Sequence, residues 1–249
     1  MAVTGQVGAA KPSKVELVPW DPTSDQHFER MVEQRIACGW DYNDVPEWKQ
    51  KALKGEKLLY WVKLVDDLPN KEDTLKAHFD EFPSERVALK DTATTLGGEE
   101  CTPTNRTFFP IGHIGLQIGD GRTNAFSLPL PEKAVWIKSV YISFPLHSQG
   151  LGRSAMETME RVAARPPLNA DLLALDTVES SFQLKDEHLA VYWEGRGRTR
   201  PEVPKANQEW YMRQGYRVIK VVQNAFDWVH PVTGEANSLP MVFLSKKLV

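Results

Sequence analysis

Apolar and polar positions alternate in Val15-Glu16-Leu17-Val18 as they do in a half-buried strand, and Pro19, Asp21 and Pro22 end the run. Thr23 or Ser24 then caps a helix in which Phe28, Met31, Val32, Arg35 and Ile36 are spaced for one buried face. Asp44 to Lys54 reads as a second helix, with Trp48 and Leu53 inward. Leu58 to Val65 is almost continuously apolar and predicts a strand. From Asp66 to Arg106 the chain is charged or rich in Thr and Gly, with one helix expected over Lys71 to Phe82. We read that stretch as a decoration on the main domain.

The second half has sharper periodicity. Phe109 to Ile118 is a strand with Gly112, Gly115 and Gly119 marking bends or close backbone approach. Val135 to Ile142 is another, followed by seven residues, Gly150-Leu151-Gly152, and a helix burying Leu151, Ala155, Thr158, Met159 and Val162. Arg165-Pro166-Pro167 stops that helix. Leu172 to Leu175 predicts a strand covered on both sides. A linker with Arg196, Arg198 and Arg200, read as a solvated basic loop, leads to a helix over Ala206 to Gln214, with Gly215 as its stop. Tyr216 to Val222 and Met241 to Leu248 are closing strands around a long loop that holds Trp228, His230 and Pro231. The fold class is mixed α/β. Residues 1–13 are expected to be a loose tail. Residues 14–249 are read as a single domain with insertions at about 66–107 and 180–204.

Composition narrows the partners. A formal charge of −3 gives no electrostatic reason to expect nucleic acid or an acidic membrane. Two cysteines make no disulfide framework, and no run approaches the roughly 18 apolar residues of a membrane helix. The expectation is a soluble cytoplasmic protein, monomeric or a homodimer. The six histidines lack paired metal-ligand spacing, so no metal is expected.

Strand, glycine loop and helix start together make a phosphate cradle, because unpaired N–H groups and the helix dipole both favour an anion. Gly150 to Ala155 also fits G-x-G-x-x-A, with Asp176 placed like the acid of a dinucleotide site. Against an NAD(P)-binding oxidoreductase stand the seven residues, Pro145 among them, between strand and glycine, and the lack of further β-α-β units behind the motif.

The loop His147-Ser148-Gln149-Gly150-Leu151-Gly152 after strand Val140-Tyr141-Ile142 resembles the acetyl-CoA loop of the GNAT superfamily of N-acetyltransferases, Gln/Arg-x-x-Gly-x-Gly/Ala. His147 stands where that family has Gln or Arg. Downstream, Asn207 to Tyr216 is similar to the family's helix ending in Tyr-x-x-x-Gly-Phe/Tyr, and Phe109 to Leu116 to its preceding strand. The resemblance implies a mostly antiparallel central sheet flanked by helices and splayed between the fourth and fifth core strands. It implies acetyl-CoA as co-substrate, with diphosphate on the N–H groups of Gln149 to Ser154, Arg153 included, and pantetheine along Val140 to Ile142, facing Leu172 to Leu175. Asn207 would also touch the cofactor, and an N–H near Ile142 would meet the developing oxyanion. Tyr211 takes the general-acid position; a phenol of pKa about 10 is a credible donor to a thiolate whose conjugate acid lies near about 8.5. Val135 to Ser143 carries no acid, so Asp176 and Glu179 are the nearest candidates for the base. Trp193 and Trp228 are candidate walls of the acceptor site. The implied activity is acetyl transfer to a primary amine of a small molecule or an exposed protein amine, by direct attack in a ternary complex. A CoA-binding sensor without turnover is the alternative.

Overall fold

A computed structural model describes residues 12–119, 121–131, 133–229 and 236–248. Most of the expected tail, and His230 and Pro231 of the long loop, lie outside the described residues. Seven strands form one sheet: β1 (Val15–Pro19), β2 (Lys57–Leu64), β3 (Gly112–Ile118), β4 (Val135–Ile142), β5 (Leu172–Val178), β6 (Arg217–Val229) and β7 (Ala236–Lys247). Their spatial order is β1-β2-β3-β4-β5-β7-β6. Every neighbouring pair is antiparallel except β4 with β5. A doubly wound dinucleotide fold needs a parallel array, so the G-x-G-x-x-A match does not mark one here.

Alternation along β2 sends its side chains to two cores. Leu58, Tyr60, Val62 and Leu64 meet helix α4 (Leu151–Ala163), which buries Leu151, Ala155, Met156 and Met159 against β2 to β5. Leu59 and Trp61 point the other way, to Met31 of α1 (Asp25–Cys38) and to Val45 and Trp48 of α2 (Val45–Leu53). Ser24 caps α1 by accepting from the His27 N–H, as the sequence predicts.

The buried face of α1 holds Met31 and Arg35 as expected, with Phe28 and Val32 partly buried on the same core, but it is more polar than the spacing predicts. Ile36 is exposed, and the helix buries His27, Arg30, Gln34 and Arg35 beside Met31. The reason lies across the sheet and in the 66–107 stretch. Gln34 Nε2 donates to Glu85 Oε2 at 2.8 Å, and its Oε1 accepts from His113 Nδ1 of β3 at 2.9 Å. Arg30 donates to the carbonyls of Ser84 and Val87. Leu53 of α2 is likewise exposed rather than inward.

The stretch read as a decoration is built into the body of the protein. Helix α3 (Lys71–Glu81) buries Thr74 and His78, and His78 Nδ1 lies 2.8 Å from Ser143 Oγ at the end of β4. Leu89 and Phe108 join the tryptophan core of α1 and α2. Asp21 accepts from Thr92, and His27 Nε2 sits 2.9 Å from the Lys90 carbonyl. Among the described residues no helix is long and apolar enough to cross a membrane.

Candidate functional site

The site begins where β4 leaves β5. The two strands pair only at Val135–Leu173 and Trp136–Ala174, after which β4 runs on to Ile142 with no ladder partner on that edge. Leu172 to Leu175 therefore lies level with the start of β4 and does not face Val140 to Ile142, as had been expected. A bulge accompanies the divergence. His113 opposes Tyr141 and Gly115 opposes Lys138, so Ser139 and Val140 together face Ile114 alone. Ser139 takes φ +59°. Gly112 lets β3 approach closely here, since a Cβ on it would lie 2.1 Å from the Tyr141 carbonyl oxygen.

After β4 a turn reaches the N-terminus of α4. Ser148 and Gly150 both adopt positive φ, and no side chain caps the helix, which leaves the first amides of α4 without an intrahelical acceptor. Leu151 is buried beneath them. Gly152 faces Trp210, whose ring would be 3.3 Å from a Cβ there. Arg153 is turned outward onto Glu157. Ser154 Oγ accepts the Lys14 N–H at 2.9 Å, and Lys14 Nζ donates to the Gln149 carbonyl at 2.8 Å. A cation from the start of β1 thus stands at the mouth of the glycine turn, and nothing local in the sequence signals it. His147 Nε2 lies 2.9 Å from the Ile142 carbonyl, and its ring packs against Phe144. Burial holds its proton affinity below the ordinary histidine value. The residue at the motif's divergent position thus closes the end of β4.

Helix α6 (Asn207–Met212) packs beside β5. Its first amide, on Asn207, donates to Gln183 Oε1, and Tyr211 packs beside Trp210 and Tyr216. Tyr211 is half-buried, and no hydrogen bond ties its hydroxyl to another described residue. Burial raises its pKa, and the charges of Asp176 and Cys38 push the same way, so the phenol keeps its proton at neutral pH.

The two acids expected as bases are both engaged. Asp176 receives Lys138 Nζ on Oδ1 at 2.5 Å and Arg122 on Oδ2. Burial opposes its charge, but the two cations overcome that and hold the carboxyl below its ordinary range. Glu179 caps the helical turn Ser180–Gln183, accepting from the Ser181 amide at 3.1 Å.

Trp228 lies in β6, not in a loop, and packs near His188 of α5 (Asp186–Tyr192). Trp193 follows α5 and meets Phe144 at the end of β4, where the two rings help line a cavity of about 120 Å³ with His147 and Asn207. The basic linker is not solvated throughout. Arg196 donates to the Cys38 carbonyl at 2.8 Å, over the C-terminus of α1 and across Gly39. Arg198 stacks 3.8 Å above the Phe144 ring. On the α1–α2 side of the sheet, Lys57 is buried over Trp48, and burial, with Lys138 and Arg35 nearby, brings its pKa down to about 7. His113 is buried beside it as an ordinary core histidine, held well below its usual value by burial and by Arg35 and Lys57. Among the described residues no three His, Cys, Asp or Glu side chains converge as a metal site would need.

No family model and no curated protein matches the chain. Solved structures do. Arabidopsis thaliana NAA60 in complex with a bisubstrate analogue matches at TM-score 0.51 and 9% identity, over 94% of this chain and 99% of that one. An aminoglycoside 6'-N-acetyltransferase complexed with coenzyme A matches at 0.49 and 13%, over 94% and 97%. A GNAT-family acetyltransferase of Staphylococcus aureus matches at 0.45 and 11%, over 94% and 99%. The strand order, the single parallel pair and the divergence after Trp136 agree with that likeness: the chain has the fold of the GNAT acetyltransferases.

Proposed function

We propose that the protein is an acetyl-CoA-dependent N-acetyltransferase acting on a primary amine, with residues 14–249 working as one unit. The observation that carries this reading is the opening between β4 and β5, bulged at Ser139–Val140 and ending at an uncapped glycine turn. That surface fits coenzyme A. The amides of Gly150 to Arg153, with Lys14 beside them, suit a diphosphate. The unladdered edge of β4 offers backbone groups to an extended amide-bearing arm, and Asn207 stands at the start of the facing helix.

Acetyl-CoA supplies the activated acetyl group as a thioester. Tyr211 is the proton donor to the departing thiolate, since its phenol keeps its proton at neutral pH. Backbone donors along Val140 to Ile142 stabilise charge on the acetyl oxygen; losing one such donor typically costs about 10²–10³ in rate. Asp176 holds Lys138 and Arg122 in place and is a poor base while it does so. The amine attacks in its neutral form, and water takes the proton that attack leaves on the nitrogen.

Free thiol released from acetyl-CoA in the presence of an amine panel tests the reading. Amine-dependent release is expected, and Tyr211→Phe should lower kcat about 10²-fold with CoA affinity nearly unchanged. CoA binding without amine-dependent thiol would leave a sensor in place of an enzyme.

A further inference from the structure

Lys57 opens β2 on the α1–α2 side of the sheet and is only 2% exposed. Among the described residues no carboxylate stands within 4.0 Å of it. Its Nζ lies 4.5 Å from the centre of the Trp48 ring and 3.4 Å from Ser139 Oγ. Of the charges around it, Lys138, Arg35 and Lys51 share its sign, and the opposing one, Asp41, is paired with Arg35, while Lys138 is held by Asp176. A buried cation without a counter-ion is unfavourable. Ser139 is the first residue of the bulge, half-buried, and stands on the stretch of β4 past its last pair with β5. Its hydroxyl accepts from Lys57, which leaves its own hydrogen free to turn outward.

We propose that the acceptor amine also carries a carboxylate, which is bound by Ser139 Oγ and Lys57 Nζ. The carboxylate supplies the absent counter-ion. It would sit one residue from Val140, where the acetyl group is delivered in the function proposed above, on which the amine half of this inference rests. Acid and amine are therefore separated by one or two carbons, as in an α- or β-amino acid. The same cations disfavour an ammonium at that place, so the amine is bound neutral and needs no strong protein base.

Calorimetry on the CoA-loaded protein tests the carboxylate half without turnover. The probes are N-acetylglycine, N-acetylphenylalanine and N-acetylglutamate, each beside its α-carboxamide. At least one acid should bind tenfold or more tighter than its amide, and Lys57→Met and Ser139→Ala should each erase most of that preference. Equal binding within every pair, no binding by any probe, or a preference that survives Lys57→Met would overturn the inference. The amine half is read from acetyl transfer to phenylalanine and glutamate against their α-decarboxylated amines. Faster transfer to the decarboxylated amines would overturn the inference and leave acetyl transfer standing. Acid-selective binding with no transfer to any amine would instead overturn the acetyltransferase reading.

Discussion

Lys57 and Tyr211 show burial acting in opposite directions on two protons near one opening. The phenol holds its proton more tightly, and the ammonium releases its own at about pH 7. For Lys57 the consequence for stability has a definite sign. Between pH 7 and 10.5 the unfolded chain binds more protons at this residue than the folded one, so stability rises with pH across that window. Below pH 7 the penalty is at its fullest. Lys57→Met should therefore stabilise the protein by a few kcal/mol at about pH 6.5, with the gain shrinking by about pH 9.5. Urea unfolding at the two pH values measures it, and a gain of the same size at both would refute the burial argument. Residues of this kind were invisible in the sequence, because Lys57 and Lys14 belong to no local spacing. Gly150, Gly152, Asn207 and Tyr211 were legible because their relations run along one turn or one helix face.

Among the elements, β4 does most to shape the site, and Gly112 is what allows β3 to lie against its end at Tyr141 and Ile142. Gly112→Ala places a Cβ 2.1 Å from the Tyr141 carbonyl, a main-chain atom with nowhere to move. The variant should lose about 3 kcal/mol or more, read from denaturant midpoints, whereas a loss below about 0.5 kcal/mol would mean the strands separate freely. A second test concerns how the 66–107 stretch is held. Glu85 is buried, accepts from Gln34, and lies 3.6 Å from Arg30 and 3.3 Å from His78. Glu85→Ala takes an acceptor from buried Gln34 and one of two carboxylates from Arg30, which keeps Glu33 at 3.1 Å, and should cost about 1–3 kcal/mol. An unchanged midpoint would return that stretch to the status of an ornament. The polar pattern of residues 66–107 hid this role. So did α1, whose buried face takes in Arg30 and Gln34, residue types that periodicity assigns to solvent. Strand positions survived better, since β2, β3 and β4 carry apolar runs that no helix period matches. The register of β4 against β5 did not, because a parallel pair two residues long leaves no mark in either strand.

For the molecule as a whole, a seven-stranded sheet opens after Trp136, and the proposed function rests on that opening. Lys14, Gly150 and Gly152 stand at one end; Tyr211 and Asp176 flank its side; Ser139 and Lys57 lie toward α1 and α2. The account depends on the glycine turn and the free edge of β4 receiving one extended ligand. A crystal structure of the protein grown with coenzyme A tests this most directly. It should place diphosphate oxygens about 2.7–3.2 Å from amides within Gly150 to Arg153, with the thiol arm lying along Val140 to Ile142. A structure in which coenzyme A binds elsewhere while that turn stays vacant would contradict the account.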